Sequence, residues 1–182
     1  MRLFVAINFN DETRSQLLML CDELREKSEY GRFSLPENLH LTLAFLGECD
    51  GKQISAVKSV LDAVSFETFD ITFDCVGRFR RAGGDIWWAG LRESKPLIAL
   101  HGELTGKLIA SGFSLKKRKY SPHVTLGREI VTILKPWRFE SFGDTVSTID
   151  LMKSERLNGK LTYTAIYTIK AKDHKEARQA PE

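Results

Sequence analysis

Two stretches decide the reading: Leu39-His40-Leu41-Thr42-Leu43-Ala44-Phe45-Leu46 and Pro122-His123-Val124-Thr125-Leu126-Gly127-Arg128. In the first, Leu39, Leu41, Leu43 and Phe45 alternate with His40, Thr42 and Ala44. That is the period-two pattern of a strand with one face in a core and a polar face outside it. On this pattern Phe45 is expected in the core. Residues i and i+2 of a strand point the same way, so each stretch sets an imidazole beside a hydroxyl. A single His-x-Thr is usually a surface or structural pair. With 12 threonines in 182 residues, a given histidine has roughly a one-in-fifteen chance of a Thr two positions on. Two of the four histidines doing so is about a 2–3% accident, so the pair is a signal.

Outward from these stretches the chain alternates strand and helix patterns. Leu3 to Phe9 suits a buried strand, and it is too short an apolar run, with no small-residue cleavage site, for a signal peptide. Asn10 or Asp11 can cap a helix carried by Leu17, Leu20, Cys21 and Leu24. Gly31 and Pro36 break the chain before the first motif. A second helix is expected after Asp50-Gly51, from Ile54 to Val64, and a strand from Phe69 to Cys75. Asp85 to Leu91 reads as a strand, and Ser94-Lys95-Pro96 opens a helix that stops near Gly112. His123 to Gly127, Val146 to Met152 and Leu161 to Ile169 complete the strands, the last two joined by a turn at Asn158-Gly159. This order predicts an α+β fold of largely antiparallel sheets. It also hints at a duplication, two β-α-β halves each ending in a polar-faced strand. The expected organisation is one domain over residues 1–171, with a charged tail from 172 to 182 that frays.

Composition narrows the function classes. With 27 Lys and Arg against 24 Asp and Glu, the net charge of +3 permits a nucleic-acid partner without demanding one. There is no apolar run of about 18 residues, so no membrane span is expected. Three cysteines, Cys21, Cys49 and Cys75, lie far apart with no Cys-x-x-Cys. A disulfide framework and a cysteine-based zinc site are thereby disfavoured, and a reducing cytoplasm is the default location.

The paired motifs point to acid–base chemistry. Two imidazoles, with an unperturbed pKa of about 6.5, can serve as general base and general acid near neutral pH. Two neighbouring hydroxyls are donors suited to the charged oxygens of a phosphoryl group. There is no nucleophilic Ser or Cys motif and no glycine-rich phosphate loop. No carboxylate lies at ligand spacing beside either histidine, so neither a metal nor another cofactor is expected. The assignment is metal-free, in-line hydrolysis of a phosphodiester. One imidazole takes a proton from water while the other protonates the departing oxygen. A strained cyclic phosphate suits such a site.

These motifs resemble the paired His-x-Thr-x signatures of the 2H phosphoesterase superfamily, and are similar to those of the bacterial and archaeal RNA 2',3'-cyclic phosphodiesterases, also called 2'-5' RNA ligases. The likeness extends to Arg2-Leu3-Phe4-Val5-Ala6-Ile7, to Glu37 through Gly47, to Ile86-Trp87-Trp88-Ala89-Gly90-Leu91 and to Ser121 through Arg128. Gly127 is a departure, since Ala is the residue expected there. The resemblance implies a two-lobed, pseudo-symmetric fold of antiparallel sheets with outer helices and a site in the cleft between them. It implies opening of an RNA terminal 2',3'-cyclic phosphate to a 2'-phosphate. His40 would then donate a proton to the leaving 3' oxygen and His123 would activate water. Thr42 and Thr125 would hold the non-bridging oxygens. The implied partner is a tRNA-like or oligoribonucleotide end, and the reverse 2'-5' ligation would need no nucleotide cofactor. Other readings are a 2H enzyme acting on 2'-5' oligonucleotides or small cyclic nucleotides, or a non-catalytic RNA-end binding module. A monomer is the default.

Further residues carry paired readings. Arg128 faces the histidine side only if the strand's alternation breaks at Gly127. It then binds phosphate; otherwise it makes a surface salt bridge. Lys116-Lys117-Arg118-Lys119 is either a solvated loop or a guide for an RNA backbone. Arg78, Arg80 and Arg81 form a weaker basic patch. Trp87 and Trp88 point to opposite faces of a strand, one into the core and one available to stack a base. His101 falls near the apolar stripe of its helix and reads as structural. His174 sits in the tail without a partner at fixed spacing.

Overall fold

A computed structural model describes residues 1–115 and 119–172. The elements run β1 (Arg2–Ile7), α1 (Asp11–Glu26), β2 (Ser28–Phe33), a 3-10 turn (Pro36–Asn38), β3 (Leu41–Glu48) and α2 (Gly51–Asp62). They continue with β4 (Phe69–Phe79), β5 (Asp85–Leu91), α3 (Lys95–Ala110), β6 (His123–Thr132), β7 (Trp137–Val146), β8 (Thr148–Leu157) and β9 (Lys160–Lys170). The helix starts follow local chemistry. Asn10 accepts from the backbone N–H of Thr13 at 2.8 Å to cap α1, and Asp50 and Gln53 form a reciprocal capping box on α2. Ser94 caps α3, with Pro96 in its first turn.

The strands form two antiparallel sheets, ordered β3-β1-β8-β9 and β2-β6-β5-β4-β7. The α+β expectation holds, but the halves of the sequence are not the lobes. β2, from the first half, joins the second sheet, while β8 and β9, from the end, complete the first. Helix α1 packs beneath β2, β6 and β7, whereas α2 lies on β9 and α3 against β3 and β4. One continuous core of Leu, Val, Ile and Phe side chains joins the covered faces of both sheets. Strands β2 and β7 were not expected from the sequence, and β6 runs on to Thr132. Both unexpected strands are sheet edges, where polar side chains and an unfilled ladder weaken the alternating pattern. The hairpin at Asn158-Gly159 is present, with both residues in the left-handed region (φ 49° and 81°). Lys172 is tied back by its N–H to the Phe66 carbonyl at 2.8 Å, and the remainder of the charged tail lies outside the described residues. Among the described residues no helix is long and apolar enough to cross a membrane.

Two matching irregularities shape the exposed faces. In the β1–β3 ladder, Ala6 pairs with Thr42 and Val5 with Ala44, which leaves Leu43 as an extra residue. In the β5–β6 ladder, Trp88 pairs with Thr125 and Trp87 with Gly127, which leaves Leu126 as the extra residue. Each bulge falls on the leucine after the motif threonine. Two consecutive residues then face the core, Leu43-Ala44 and Leu126-Gly127, and all four are buried. The alternation is reset, so the next residue shares a face with the His and Thr. This corrects the expectation for Phe45, which is 59% exposed and pairs with Phe4 rather than entering the core. It also meets the condition set for Arg128.

Candidate active site

Each motif begins with an imidazole anchored to its own approach segment. The 3-10 turn ends at Asn38, whose carbonyl accepts from His40 Nδ1 at 2.7 Å. The Ser121 carbonyl accepts from His123 Nδ1 at 2.7 Å in the same way. A carbonyl can only accept, so Nδ1 carries the proton in both rings and Nε2 is the atom that exchanges protons with a ligand. His40 Nε2 lies 3.0 Å from Thr42 Oγ1, the side-by-side arrangement read from the i, i+2 spacing.

Aromatic rings flank both imidazoles. His40 lies 4.8 Å from Phe4 and 5.2 Å, edge-on, from Tyr163 of β9. Phe4, Ala6 and Met152, with Tyr163 against them, form a small apolar floor separate from the main core. His123 lies 5.2 Å, edge-on, from Phe79 and 6.0 Å from Trp88. Trp88 can lie flat there because it crosses Gly77 and Gly90, where a Cβ would come 2.2 Å and 2.8 Å from ring carbons. Trp87 points the other way and is fully buried. The sequence therefore sorted the two tryptophans into one core and one site-side residue. It carried no signal for Phe4, Phe79 or Tyr163, because nothing local separates them from ordinary strand aromatics.

The two walls meet. His40 is held below its ordinary pKa chiefly by burial, which disfavours its charged form, and its hydrogen bond to the Asn38 carbonyl offsets part of this. The positive charges of Arg128 and His123, both on the other sheet, lower it further. Burial pushes the Tyr163 phenol up, and the positive charge of Arg128 offsets part of this. His40 and Thr42 thus stand side by side at the start of β3, while His123, Thr125 and Arg128 share one face of β6, the strand that β3 lies against.

Other candidates fall elsewhere. Lys116, Lys117, Arg118 and His174 lie outside the described residues. Arg78 is paired with Asp85 at 3.1 Å and lies over the Trp87 ring, which leaves it little freedom as an RNA contact. His101 stacks face to face on Tyr120 with centroids 3.7 Å apart, in keeping with a structural role. Among the described residues no group of three or more His, Cys, Asp or Glu side chains could hold a metal ion. A hollow of about 280 Å³ beside Phe66, Phe69 and Glu103 is lined by neither His40 nor His123.

Two facing antiparallel sheets, each offering a His-x-Thr strand to a shared cleft, are the architecture of a two-histidine phosphoesterase. The model of LigT-like phosphoesterases matches residues 7–88. The RNA 2',3'-cyclic phosphodiesterase of Archaeoglobus fulgidus is 34% identical over 151 residues, covering 79% of this chain and 85% of that protein. The Escherichia coli protein of the same name is 33% identical over 169 residues, covering 91% and 93%. Among solved structures, E. coli LigT complexed with 3'-AMP superposes with a TM-score of 0.83 at 28% identity, covering 94% of this chain and 98% of that one. The chain belongs to the LigT-like phosphoesterase family.

Proposed function

We propose that this protein hydrolyses the 2',3'-cyclic phosphate at an RNA end to a 2'-phosphate, by acid–base catalysis between His40 and His123 without a metal. The observation that carries this reading is the twin anchoring of the rings. Each Nδ1–H is held by the carbonyl two residues back, and the two motif strands, β3 and β6, lie against each other. The relatives' shared name, RNA 2',3'-cyclic phosphodiesterase, supports the substrate.

The proposed steps take for each histidine the role that the family resemblance implies. The cyclic phosphate sits between the walls, its non-bridging oxygens toward the hydroxyls of Thr42 and Thr125 and the guanidinium of Arg128. Water attacks phosphorus and passes a proton to His123 Nε2. The bond from phosphorus to the 3' oxygen breaks, and His40 Nε2 gives that oxygen a proton. The products are a 2'-phosphate and a free 3'-hydroxyl. With an RNA 5'-hydroxyl attacking phosphorus in place of water and passing its proton to His123, the same departure of the 3' oxygen would leave a 2'-5' bond and need no nucleotide cofactor.

Burial and its positive neighbours lower the His40 pKa in the free protein, which disfavours the protonated form that a proton donor needs. The substrate's own negative charge favours the imidazolium, so substrate binding supplies the missing proton affinity. The test is to incubate the protein, with chelator present, with an oligoribonucleotide bearing the cyclic end. A 2'-phosphate product is expected. An uncut cyclic end, a 3'-phosphate product, or cleavage of 2'-5' oligonucleotides alone would overturn the proposal.

A further inference from the structure

Both motif threonines have their backbone carbonyls occupied by hydroxyls from outside their own strands. Tyr120 donates its phenol hydrogen to the carbonyl of Thr42 at 3.1 Å, across 78 positions of sequence. Ser34 donates its hydroxyl hydrogen to the carbonyl of Thr125 at 2.7 Å, across 91 positions. The donors are related to the motifs in a crossed fashion. Ser34 lies on the approach to His40 yet is pinned to the second motif, where its N–H also donates to the Leu126 carbonyl at 2.8 Å. Tyr120 lies on the approach to His123 yet is pinned to the first. Each imidazole therefore hangs on a short length of chain whose far end is fixed to the threonine of the opposite motif.

The placement of these ties is specific. Each accepting threonine immediately precedes its bulged leucine, where the regular ladder is interrupted and a backbone carbonyl needs another donor. β3 is in addition the edge strand of its sheet. Tyr120 is itself held, its ring stacked on His101 at an interplanar angle of 6°, and burial keeps its phenol protonated and able to donate.

We infer that Ser34 and Tyr120 are reciprocal positioning residues that fix the separation of the two imidazoles across the cleft. The inference rests on the reaction proposed above, because in-line transfer needs both rings in place at once. A misplacement of about 1 Å can cost on the order of 100-fold in rate. Two ties acting in parallel buffer each other, so losing both is worse than the two single losses combined.

The test uses Tyr120→Phe, Ser34→Ala and the double variant, each removing only a hydroxyl. Expected in each single variant is a fivefold to tenfold fall in kcat, with KM within threefold and the melting temperature nearly unchanged. The double variant falls by more than the product of the singles, and Ser34→Thr retains activity. NMR titration of the imidazoles gives a readout independent of turnover. His40 titrates at higher pH in the variants, as His123 and Arg128 draw away and water enters. A double variant with kcat within twofold of the parent overturns the inference. So does a fall in kcat that merely tracks melting while the His40 titration stays put. Should the parent protein leave the cyclic end uncut, the proposed function fails, and the His40 titration still decides the role of the ties.

Discussion

Replacing Gly77 by Ala tests how the second wall of the cleft is built. The added methyl would lie 2.2, 2.4 and 2.7 Å from Cη2, Cζ2 and Cζ3 of Trp88. Carbon atoms rest at roughly 3.5–4 Å, so the indole must withdraw by more than about 1 Å or tilt. It has little room, since the Phe79 ring lies 5.3 Å away and His123 lies 6.0 Å away. Overpacking of this kind costs about 1–3 kcal/mol. For a chain of this size that is a fall of roughly 2–12 °C in melting temperature. A comparable shift of the His123 ring would cost on the order of 100-fold in kcat. The assay is a thermal melt followed by circular dichroism, with turnover of a cyclic-ended oligoribonucleotide measured well below the transition. Gly51→Ala, with nothing within 4 Å of the new methyl, is the control and should leave turnover unchanged. If Gly77→Ala melts within 1 °C of the parent and keeps kcat within twofold, the indole does not buttress the imidazole.

The remaining expectations concern the chemistry. His40→Ala and His123→Ala should each lower turnover by orders of magnitude with little loss of thermal stability, since both side chains face the cleft; full activity in either would end the acid–base assignment. Thr42→Val and Thr125→Val keep the strand-favouring branched shape and remove one hydroxyl. Each should cost about 1.5–3 kcal/mol in kcat/KM, the scale of a hydrogen bond to a charged group, as measured by steady-state kinetics. The pH profile of turnover should be a bell, and the limb due to His40 should lie at higher pH in kcat than in kcat/KM, because the bound anion opposes the burial that depresses it. Arg128→Gln removes a positive neighbour and should raise the His40 pKa in an NMR titration; a fall would contradict the placement of the guanidinium. Turnover should survive EDTA, and loss with chelation followed by rescue with zinc would favour a metal hydrolase.

The His-x-Thr faces were legible because period two is a property of any extended strand, and His40 and Thr42 needed no tertiary information to be set side by side. Trp87 and Trp88 were separable on the same ground. Phe45 was misplaced for the complementary reason. A bulge inserts one residue without any mark in the local pattern, and Leu43-Ala44 reads as well in regular alternation as out of it. A second bulge of the same kind, at Leu126, brought Arg128 to the strand face of His123, so each of the two assignments turned on an irregularity with no mark in the local pattern. Strands β2 and β7 escaped because Ser28-Glu29-Tyr30-Gly31-Arg32-Phe33 and Trp137 through Val146 carry the charges and glycines that suit sheet edges. Tyr163, Phe4 and Phe79 become neighbours of the histidines only through long-range pairing, which no window of sequence contains.

That pairing has a bearing on how the molecule comes into being. Arg2 finds Ser154 as its ladder partner, and β1 lies between a strand from the first third of the chain and one near its end. A nascent chain leaving the ribosome can therefore complete the four-stranded sheet only after β9, ending at Lys170, has emerged, and contacts of such long sequence separation make for slow folding. Cutting the polypeptide midway would leave both halves with frayed, hydrophobic edges rather than one intact lobe and one broken one. Loss of its last strands, β8 and β9, thus leaves β3 and β1 as a two-stranded remnant of the wall that the first residues began.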